Sequence, residues 1–384
     1  MTQIDSSALP VPRVRTAAAL WSSSQLDFRL VALFALLFLA GAEAGRVLSF
    51  PAVGFSTFWP PAAIYLAALL IRPHRDWAWL ALGGALPASL AYYALHGRPL
   101  VLALAVFVAN TLSATFGALL LERSGSLSEL FRSARSCLRS FVLLLFANVP
   151  GALVGTAALE YYGHGPTFFR TALVWWASGT VALFVLVPPI VVSRDERPPL
   201  EARRRLELVF AFGALLAVAA TLFLREIDPG TPLAFPYWVL PFLLWIAVRF
   251  GRRGAGLAGF LLTAVAAWGT VHGLGPFFVV GPIAARAVVL QTYLAIFATV
   301  AFSMAASVRS REIAVEALEK AMAEIRTLQG LIPICANCRR LRDDAGSWKS
   351  IETYFAQNTD ALLTHGLCPE CIHELYPEVE EEMG

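Results

Sequence analysis

Charged residues are scarce in this sequence: Asp, Glu, Lys and Arg make up only 15% of its 384 residues, against about 25% in an ordinary soluble domain. That scarcity excludes a disordered chain and a conventional water-soluble protein. Neither sign dominates, because 30 basic residues face 27 acidic ones, so the total charge gives no reason to expect a nucleic-acid partner. Hydrophobic residues instead reach 58%, which indicates that most of the chain lies in a lipid bilayer.

Ten apolar segments come close to the length of about 20 residues that a helix needs to cross a bilayer. They predict an all-α polytopic membrane protein with about ten transmembrane helices. The second and eighth segments are short and begin with Trp and Pro, which is typical of tilted or irregular membrane pieces. The segments are residues 30–48, 58–71, 77–95, 100–121, 141–162, 168–192, 206–224, 237–250, 254–271 and 287–308.

The arginines are distributed unequally between the two sides of this ten-span arrangement. One side collects 17 of them, whereas each loop on the other side carries a single one. Because cytoplasmic loops accumulate Lys and Arg, we expect both termini and the arginine-rich loops in the cytoplasm. An alternative stays open, because residues 30–44 also match a signal peptide with a small-residue cleavage site, and cleavage would leave nine spans. The isolated arginines are Arg46, Arg98, Arg170, Arg225 and Arg286.

A separate unit is predicted after Val308, where charged residues become common. Residues 309–329 contain no Pro or Gly, so we expect the last membrane helix to continue into them. An apolar heptad seam there predicts either a short coiled coil that joins two copies or an amphipathic helix packed on its own tail. The seam consists of Val315, Leu318, Met322 and Ile325. The predicted parts are a cytoplasmic N-terminal segment (1–28), a transmembrane domain (29–308), a helix (309–331) and a small C-terminal module (332–384).

Two Cys-x-x-Cys pairs, Cys335 with Cys338 and Cys368 with Cys371, are separated by 29 residues in the tail. They supply four thiolates, the tetrahedral ligand set of a structural Zn²⁺ site. The module has few apolar residues, and zinc stabilises such a unit by on the order of 10 kcal/mol. We therefore predict bound Zn²⁺; a redox or thiol-sensing role, another metal, and His365 or His373 as a substitute ligand stay open. A short helix predicted to cover the site contains Trp348, Ile351, Tyr354 and Phe355.

Three loops on the arginine-poor side contain a His-Gly pair, and two carboxylates lie near the same ends of their spans. Ionisable groups at membrane depth are candidates for function, so these residues predict an outward-facing ligand site. The alternative is structural: repeated tight turns in which Gly adopts a positive φ, together with carboxylates at the membrane interface. The candidate site consists of His96, His164, His272, Glu43, Glu160 and Trp59.

The run Phe58-Trp59-Pro60-Pro61-Ala62 resembles the best-marked stretch of the bacterial MASE1 integral-membrane sensory domain. Gly83-Gly84-Ala85, Asn110-Thr111-Leu112 and Trp175-Trp176 followed by Pro188 agree with that pattern, over about residues 28–308. At the position after the Trp pair where the family usually has an acidic residue, this sequence has Gly179. The tail is similar to a short cysteine module at the C-terminus of many bacterial sensory proteins. These resemblances imply signal transduction in a bacterial inner membrane.

The function that these features predict is a sensor without catalytic activity. The tail has no kinase-type motif and no Gly-rich phosphate loop, and no nucleophile and base stand at a recognisable spacing, so we expect no enzyme. The membrane domain would signal through the helix at 309–331 to the zinc module, which would engage an unknown cytoplasmic signalling protein. The alternative is a transporter of a small solute with an accessory tail, favoured by the recurrence of the order of spans one to four in spans seven to ten.

Overall fold

The computed structural model describes residues 28–50, 55–161, 167–192, 202–227, 235–329, 333–343, 345–358 and 363–375. They divide into two compact units, Met1–Arg311 and Glu312–Gly384, which are treated one at a time. Helices dominate the described residues, which confirms the predicted all-α class.

The first unit is a bundle of membrane helices with one short hairpin. The hairpin strands, β1 Ser49–Phe50 and β2 Phe55–Ser56, pair antiparallel between the first two helices. The helices in the described residues are α1 Phe28–Val47, α2 Pro60–Ile71, α3 His74–Leu95, α4 Leu100–Ser124, α5 Ala134–Ala147, α6 Val149–Tyr161, α7 Phe168–Val192, α8 Ala202–Phe223, α9 Leu240–Val271 and α10 Ile283–Gln329.

Eight stretches of the described residues are long and apolar enough to cross a membrane, and α2 is a shorter apolar helix. Its 12 residues rise about 1.5 Å each and therefore fall short of a hydrocarbon core of about 30 Å. Trp59 precedes it, and Pro60 and Pro61 occupy its first turn, where the missing N–H of proline costs little. The short second segment predicted from the sequence is thus confirmed.

The predicted eighth and ninth segments both belong to α9, whose helical backbone is interrupted at Gly251. This residue has φ 64 and ψ −157, a backbone conformation that glycine adopts without a steric penalty. Beside it, Arg249 forms an ion pair with Glu207 near the beginning of α8, at 2.6 Å. The far end of the second arm instead lies at the end of α8, where Gly269 packs against the Phe223 backbone.

The first arm of α9 begins at that same end of α8. Tyr293 donates a hydrogen bond to the Pro236 carbonyl at 2.8 Å, and its ring centroid lies 6.0 Å from that of Phe223. The chain therefore runs from the Phe223 end to the Glu207 end and back, so α9 is a helical hairpin that turns at Gly251. Within the described residues each of the ten predicted apolar segments is mostly helical, although only eight stretches qualify as spans by length and composition.

The last helix of the bundle, α10, continues from Ile283 to Gln329 without a break. The absence of Pro and Gly after Val308 predicted this continuation. Val315, Leu318 and Met322 of the heptad seam are exposed in the single chain. The side chain of Ile325 lies outside the described residues.

The second unit contains a hairpin and two short helices in its described residues. Strands β3 Leu341–Arg342 and β4 Trp348–Lys349 pair antiparallel, and α11 Ile351–Asn358 and α12 Pro369–Leu375 follow. The predicted short helix is α11, but the prediction was wrong for Trp348, which lies in β4.

The turn between β3 and β4 explains this difference. Asp343 accepts a hydrogen bond from the Ser347 backbone N–H at 2.7 Å and pairs with Lys349 at 2.9 Å. These contacts hold the pKa of the Asp343 carboxyl below its usual range, Lys349 having the largest effect. This turn places Trp348 in the paired strand β4, so Trp348 precedes the first residue of α11.

Candidate functional site

A cavity of about 640 Å³ opens at one end of the helical bundle, which we call the cavity end. It lies where α1, α3 and the second arm of α9 terminate and where α4 begins. Its volume falls within the range of about 300–1,000 Å³ that is usual for small-molecule sites. The residues that line it are Arg46, Val47, Ser49, Phe50, Ser56, Trp59, Tyr92, Tyr93, His96, Arg98, Leu102, Val106, Asn148, Leu159, Val174, Trp175, Ser178, Gly179, Val271 and His272.

The opposite end of the bundle carries the arginine-rich loops. Arg252 donates to the Phe131 carbonyl at 3.0 Å, which joins the turn of α9 to the loop between α4 and α5. His74 and Glu122 interact at 2.8 Å and join the beginning of α3 to the end of α4. These contacts place the described parts of the arginine-rich loops at one end of the bundle, and Arg46, Arg98 and His272 line the cavity at the other end.

Glu43 links two cavity residues through its carboxylate. One oxygen lies 2.6 Å from His96 Nε2 and the other accepts from Arg46 Nε at 2.8 Å. Because an ionised carboxylate only accepts hydrogen bonds, Nε2 of His96 must carry the proton in this contact. Glu43 is therefore a partner of the cavity wall, and the positive charge of Arg46 balances its negative charge.

His272 is fixed by the helix turn that precedes it. Its ring stacks on Trp268 with centroids 4.0 Å apart, and its Nδ1 lies 2.8 Å from the Trp268 carbonyl oxygen. A carbonyl oxygen can only accept, so Nδ1 carries a proton. The second ring nitrogen, Nε2, has no hydrogen-bond partner among the described residues.

Aromatic rings form one wall of the cavity. The Tyr92 ring lies edge-on to Trp59, with centroids 6.3 Å apart, and 4.9 Å from the ring of His96. Trp59 is held in turn by Asn110, whose side-chain oxygen accepts from Nε1 at 3.3 Å. Edge-to-face contacts of this kind favour a defined ring orientation, so the wall is preorganised.

The inner part of the cavity is polar. Asn148 donates from Nδ2 to the Trp176 carbonyl at 2.9 Å, and Gly179 packs directly on its carboxamide. Ser178 is only 4% exposed, and its hydroxyl has no hydrogen-bond partner among the described residues. An unpaired buried hydroxyl costs free energy, so a ligand that formed a hydrogen bond with this hydroxyl would bind more tightly.

The cavity wall is attached to α10 by two contacts. Phe50 of β1 lines the cavity and packs in a small buried cluster with Val174 and Ala287, the latter on α10. Next to the hairpin, Gln291 of α10 donates to the Thr57 carbonyl at 3.2 Å. Thr57 itself donates from its hydroxyl to the carbonyl of Leu48, beside β1, at 2.8 Å.

The structure brings three of the six predicted site residues together. His96, His272 and Trp59 line the cavity, and Glu43 reaches it through His96. Glu160 is exposed and is not among the described residues that line the cavity, whereas His164 lies outside the described residues.

The turn interpretation also holds for two of the histidines. Gly97 has φ 61 and Gly273 has φ 83, as the repeated tight turn predicted. Turn geometry and cavity lining therefore coexist at His96 and His272. Sequence reasoning missed Ser178 and the cavity role of Asn148, since neither belongs to a recognisable motif, but the isolated arginines Arg46 and Arg98 were a usable signal.

Each cysteine pair of the C-terminal unit forms a local knuckle. Backbone N–H groups of Cys338 and Asn337 lower the pKa of the Cys335 thiol, and the backbone of Cys371 lowers that of Cys368. Thiolates of this kind are suitable zinc ligands, so the donor chemistry fits. Among the described residues, however, no three metal-ligating side chains form one group.

The MASE1 family model matches residues 18–312, well over half of the chain. Neither the curated proteins nor the solved structures contain a match to the sequence.

Proposed function

Because the chain belongs to the MASE1 family of integral-membrane sensory domains, we propose that it senses a ligand in the cavity and relays its binding through α10. The chain would carry no catalytic activity of its own. In this proposal the cavity end faces away from the cytoplasm and both termini lie in the cytoplasm, with the protein in a bacterial inner membrane.

The observation that carries the proposal is the attachment of the cavity wall to α10. The hairpin that supplies Phe50 is hydrogen-bonded to Gln291 and packed on Ala287, and the same helix continues to Gln329. A ligand that contacts the wall would therefore act on the first turns of α10, the helix that continues to Gln329. A transporter needs no such continuation.

The C-terminal module supplies the contact with the next protein in this proposal. Cys335, Cys338, Cys368 and Cys371 would hold one structural Zn²⁺, which would fold a module with few apolar residues. The exposed seam on α10 would pair with a second copy of the chain. A cytoplasmic signalling protein would then recognise the folded module.

The test begins with a thermal-shift screen of the purified full chain against panels of organic acids, amines and sugars. Each hit is then added to protein spin-labelled through unnatural amino acids at Ser128 and Ser310, which are exposed. A sensor should change the distance between the labels on binding. A hit that leaves the distance unchanged but accumulates inside proteoliposomes would overturn the proposal in favour of a transporter.

A further inference from the structure

We propose that the cavity takes a small organic monoanion with a flat, unsaturated body, of which an aromatic carboxylate is the simplest representative. This inference rests on the proposed function, because it assigns a ligand class to the same cavity. It follows from the charge of the lining, from one arginine without a partner, and from the polar and aromatic walls.

The ionisable lining of the cavity is basic or neutral. It contains Arg46, Arg98, His96, His272 and two tyrosines, and no Asp or Glu is among the lining residues in the described part of the chain. Glu43 stands behind this lining, and both of its oxygens are engaged by Arg46 and His96. A cationic ligand would therefore meet no free carboxylate, whereas an anion meets an excess of positive charge.

Arg98 is the group that supplies this excess. Its side chain is exposed, and within the described residues its guanidinium has no hydrogen bond or ion pair. The positive charge of Arg46, in contrast, is already balanced by Glu43 at 2.8 Å. One uncompensated guanidinium matches one negative charge, and its planar fork binds a carboxylate through two parallel hydrogen bonds.

Two further lining residues carry polar atoms whose hydrogen-bonding capacity is unused. Ser178 is buried with an unpaired hydroxyl, and Nε2 of His272 is free because Nδ1 is engaged by the Trp268 carbonyl. Each of these groups can hydrogen-bond a ligand polar atom without breaking a contact within the protein. The site is therefore not closed by its own hydrogen bonds.

The aromatic wall favours a flat body over a flexible chain. Trp59, Tyr92 and Trp175 all line the cavity, and the first two are held edge-to-face. A planar ligand can stack on or meet the edge of such rings. A simple inorganic anion would leave this apolar surface wet, and most of the cavity volume of about 640 Å³ would be unused.

The test measures equilibrium binding of radiolabelled indole-3-carboxylate to the purified full chain in lipid nanodiscs. Its neutral counterpart, indole-3-carboxamide, has the same shape, and acetate has the charge without the ring. We expect the carboxylate to bind at least about tenfold more tightly than either, because a charge-assisted bidentate pair is lost in one case and stacking in the other. Equal affinity of carboxylate and carboxamide, or no saturable binding at all, would overturn the inference.

Two variants test whether Arg98 supplies the positive charge that binds the carboxylate. Arg98→Gln should reduce the affinity for the carboxylate about tenfold and leave the carboxamide unaffected. Arg225→Gln removes the same charge from an exposed loop residue that does not line the cavity, and it should change neither affinity. If both variants act equally, the arginine effect is a general surface potential and the assignment of Arg98 is wrong.

A second pair of variants tests the aromatic wall. Tyr92→Phe keeps the ring and should retain binding of indole-3-carboxylate, whereas Tyr92→Leu should weaken it. Weakening by both variants alike would contradict a role for the ring. The probe could bind with the expected dependence on its charge and its ring and still leave the distance between the labels at Ser128 and Ser310 unchanged. That result would support this ligand class and overturn the sensory relay, so the two failures can be told apart.

Discussion

At the scale of single residues, Gly179 and Asn148 show how little space the inner cavity leaves. An added Cβ at Gly179 would collide with the Asn148 carboxamide, which donates to the Trp175 and Trp176 carbonyls at 3.4 and 2.9 Å. The position cannot gain a side chain unless Asn148 gives up these bonds. The glycine is therefore part of the cavity shape and not a tolerated gap.

Gly179→Ala should destabilise the full chain by about 1–3 kcal/mol, because the displaced amide leaves buried groups without partners. Gly213→Ala is the matched control, since an added Cβ there meets nothing within 4 Å and Ala favours a helix over Gly by about 1 kcal/mol. Thermal unfolding in detergent measures both. A loss of stability in the control that equals the loss in Gly179→Ala would contradict the proposed contact.

Cys368→Ser should remove zinc from the full chain and make the C-terminal unit sensitive to protease, because three thiolates leave the tetrahedral shell open. Cys137→Ser is the control: Cys137 is buried in α5, far in sequence from the two pairs, and the zinc content should stay at one ion per chain. Elemental analysis and limited proteolysis measure the two effects. A wild-type tail that is protease-resistant, reduced and free of metal would refute the zinc proposal.

At the scale of elements, periodicity and breakers predicted most helices but not the local turns. Apolar runs located the helical segments, and the absence of Pro and Gly predicted the continuation of α10 to Gln329. The sequence predicted segments 237–250 and 254–271 on either side of Gly251, and the structure joins them in α9 with a break at that residue. Trp348 was misassigned, because helical spacing cannot reveal the contacts of Asp343 with Ser347 and Lys349 that hold the turn between β3 and β4.

The relay proposal requires that α10 be stiff beyond the bundle. Ala317→Pro costs about 3 kcal/mol in a helix interior and should abolish the ligand-dependent change in the C-terminal unit while membrane insertion and zinc content stay normal. Inserting four residues after Glu316 shifts the heptad register and should alter the output, whereas seven residues restore it. Equal tolerance of all three changes, measured by partner binding, would show that the helix is only a tether.

At the scale of the whole molecule, the sequence predicted which loops share an end but not the cavity that they form. The unequal distribution of arginines grouped Arg46 and Arg98 with the His-Gly loops, and the structure places both arginines beside His96 and His272. Contacts across the bundle, such as the hydrogen bond from Gln291 to Thr57, join residues that are more than 200 positions apart in the sequence. No pattern in a single sequence contains such long-range pairs.

The proposed orientation in the membrane can be tested by labelling introduced cysteines in intact cells. Positions next to Arg98 and Arg170 should react with an impermeant reagent added from outside, and positions next to Arg132 and Arg203 should react only after the membrane is opened. The physical reason is the retention of arginine-rich loops in the cytoplasm. Labelling in the opposite sense would invert the topology and place the cavity on the cytoplasmic side.

The central claim is that occupation of the cavity acts on α10 through the hairpin, and one distance measurement tests it most directly. With labels at Ser128 and Ser310, indole-3-carboxylate should shift the distance distribution in the wild-type chain and in Thr292→Val, whose side chain is exposed on the same turn. Gln291→Leu removes the hydrogen bond to Thr57 but leaves Phe50 packed on Ala287, so it should bind the probe and show a smaller shift. A shift of the same size in Gln291→Leu, or no shift in the wild-type chain at saturating probe, would contradict the account.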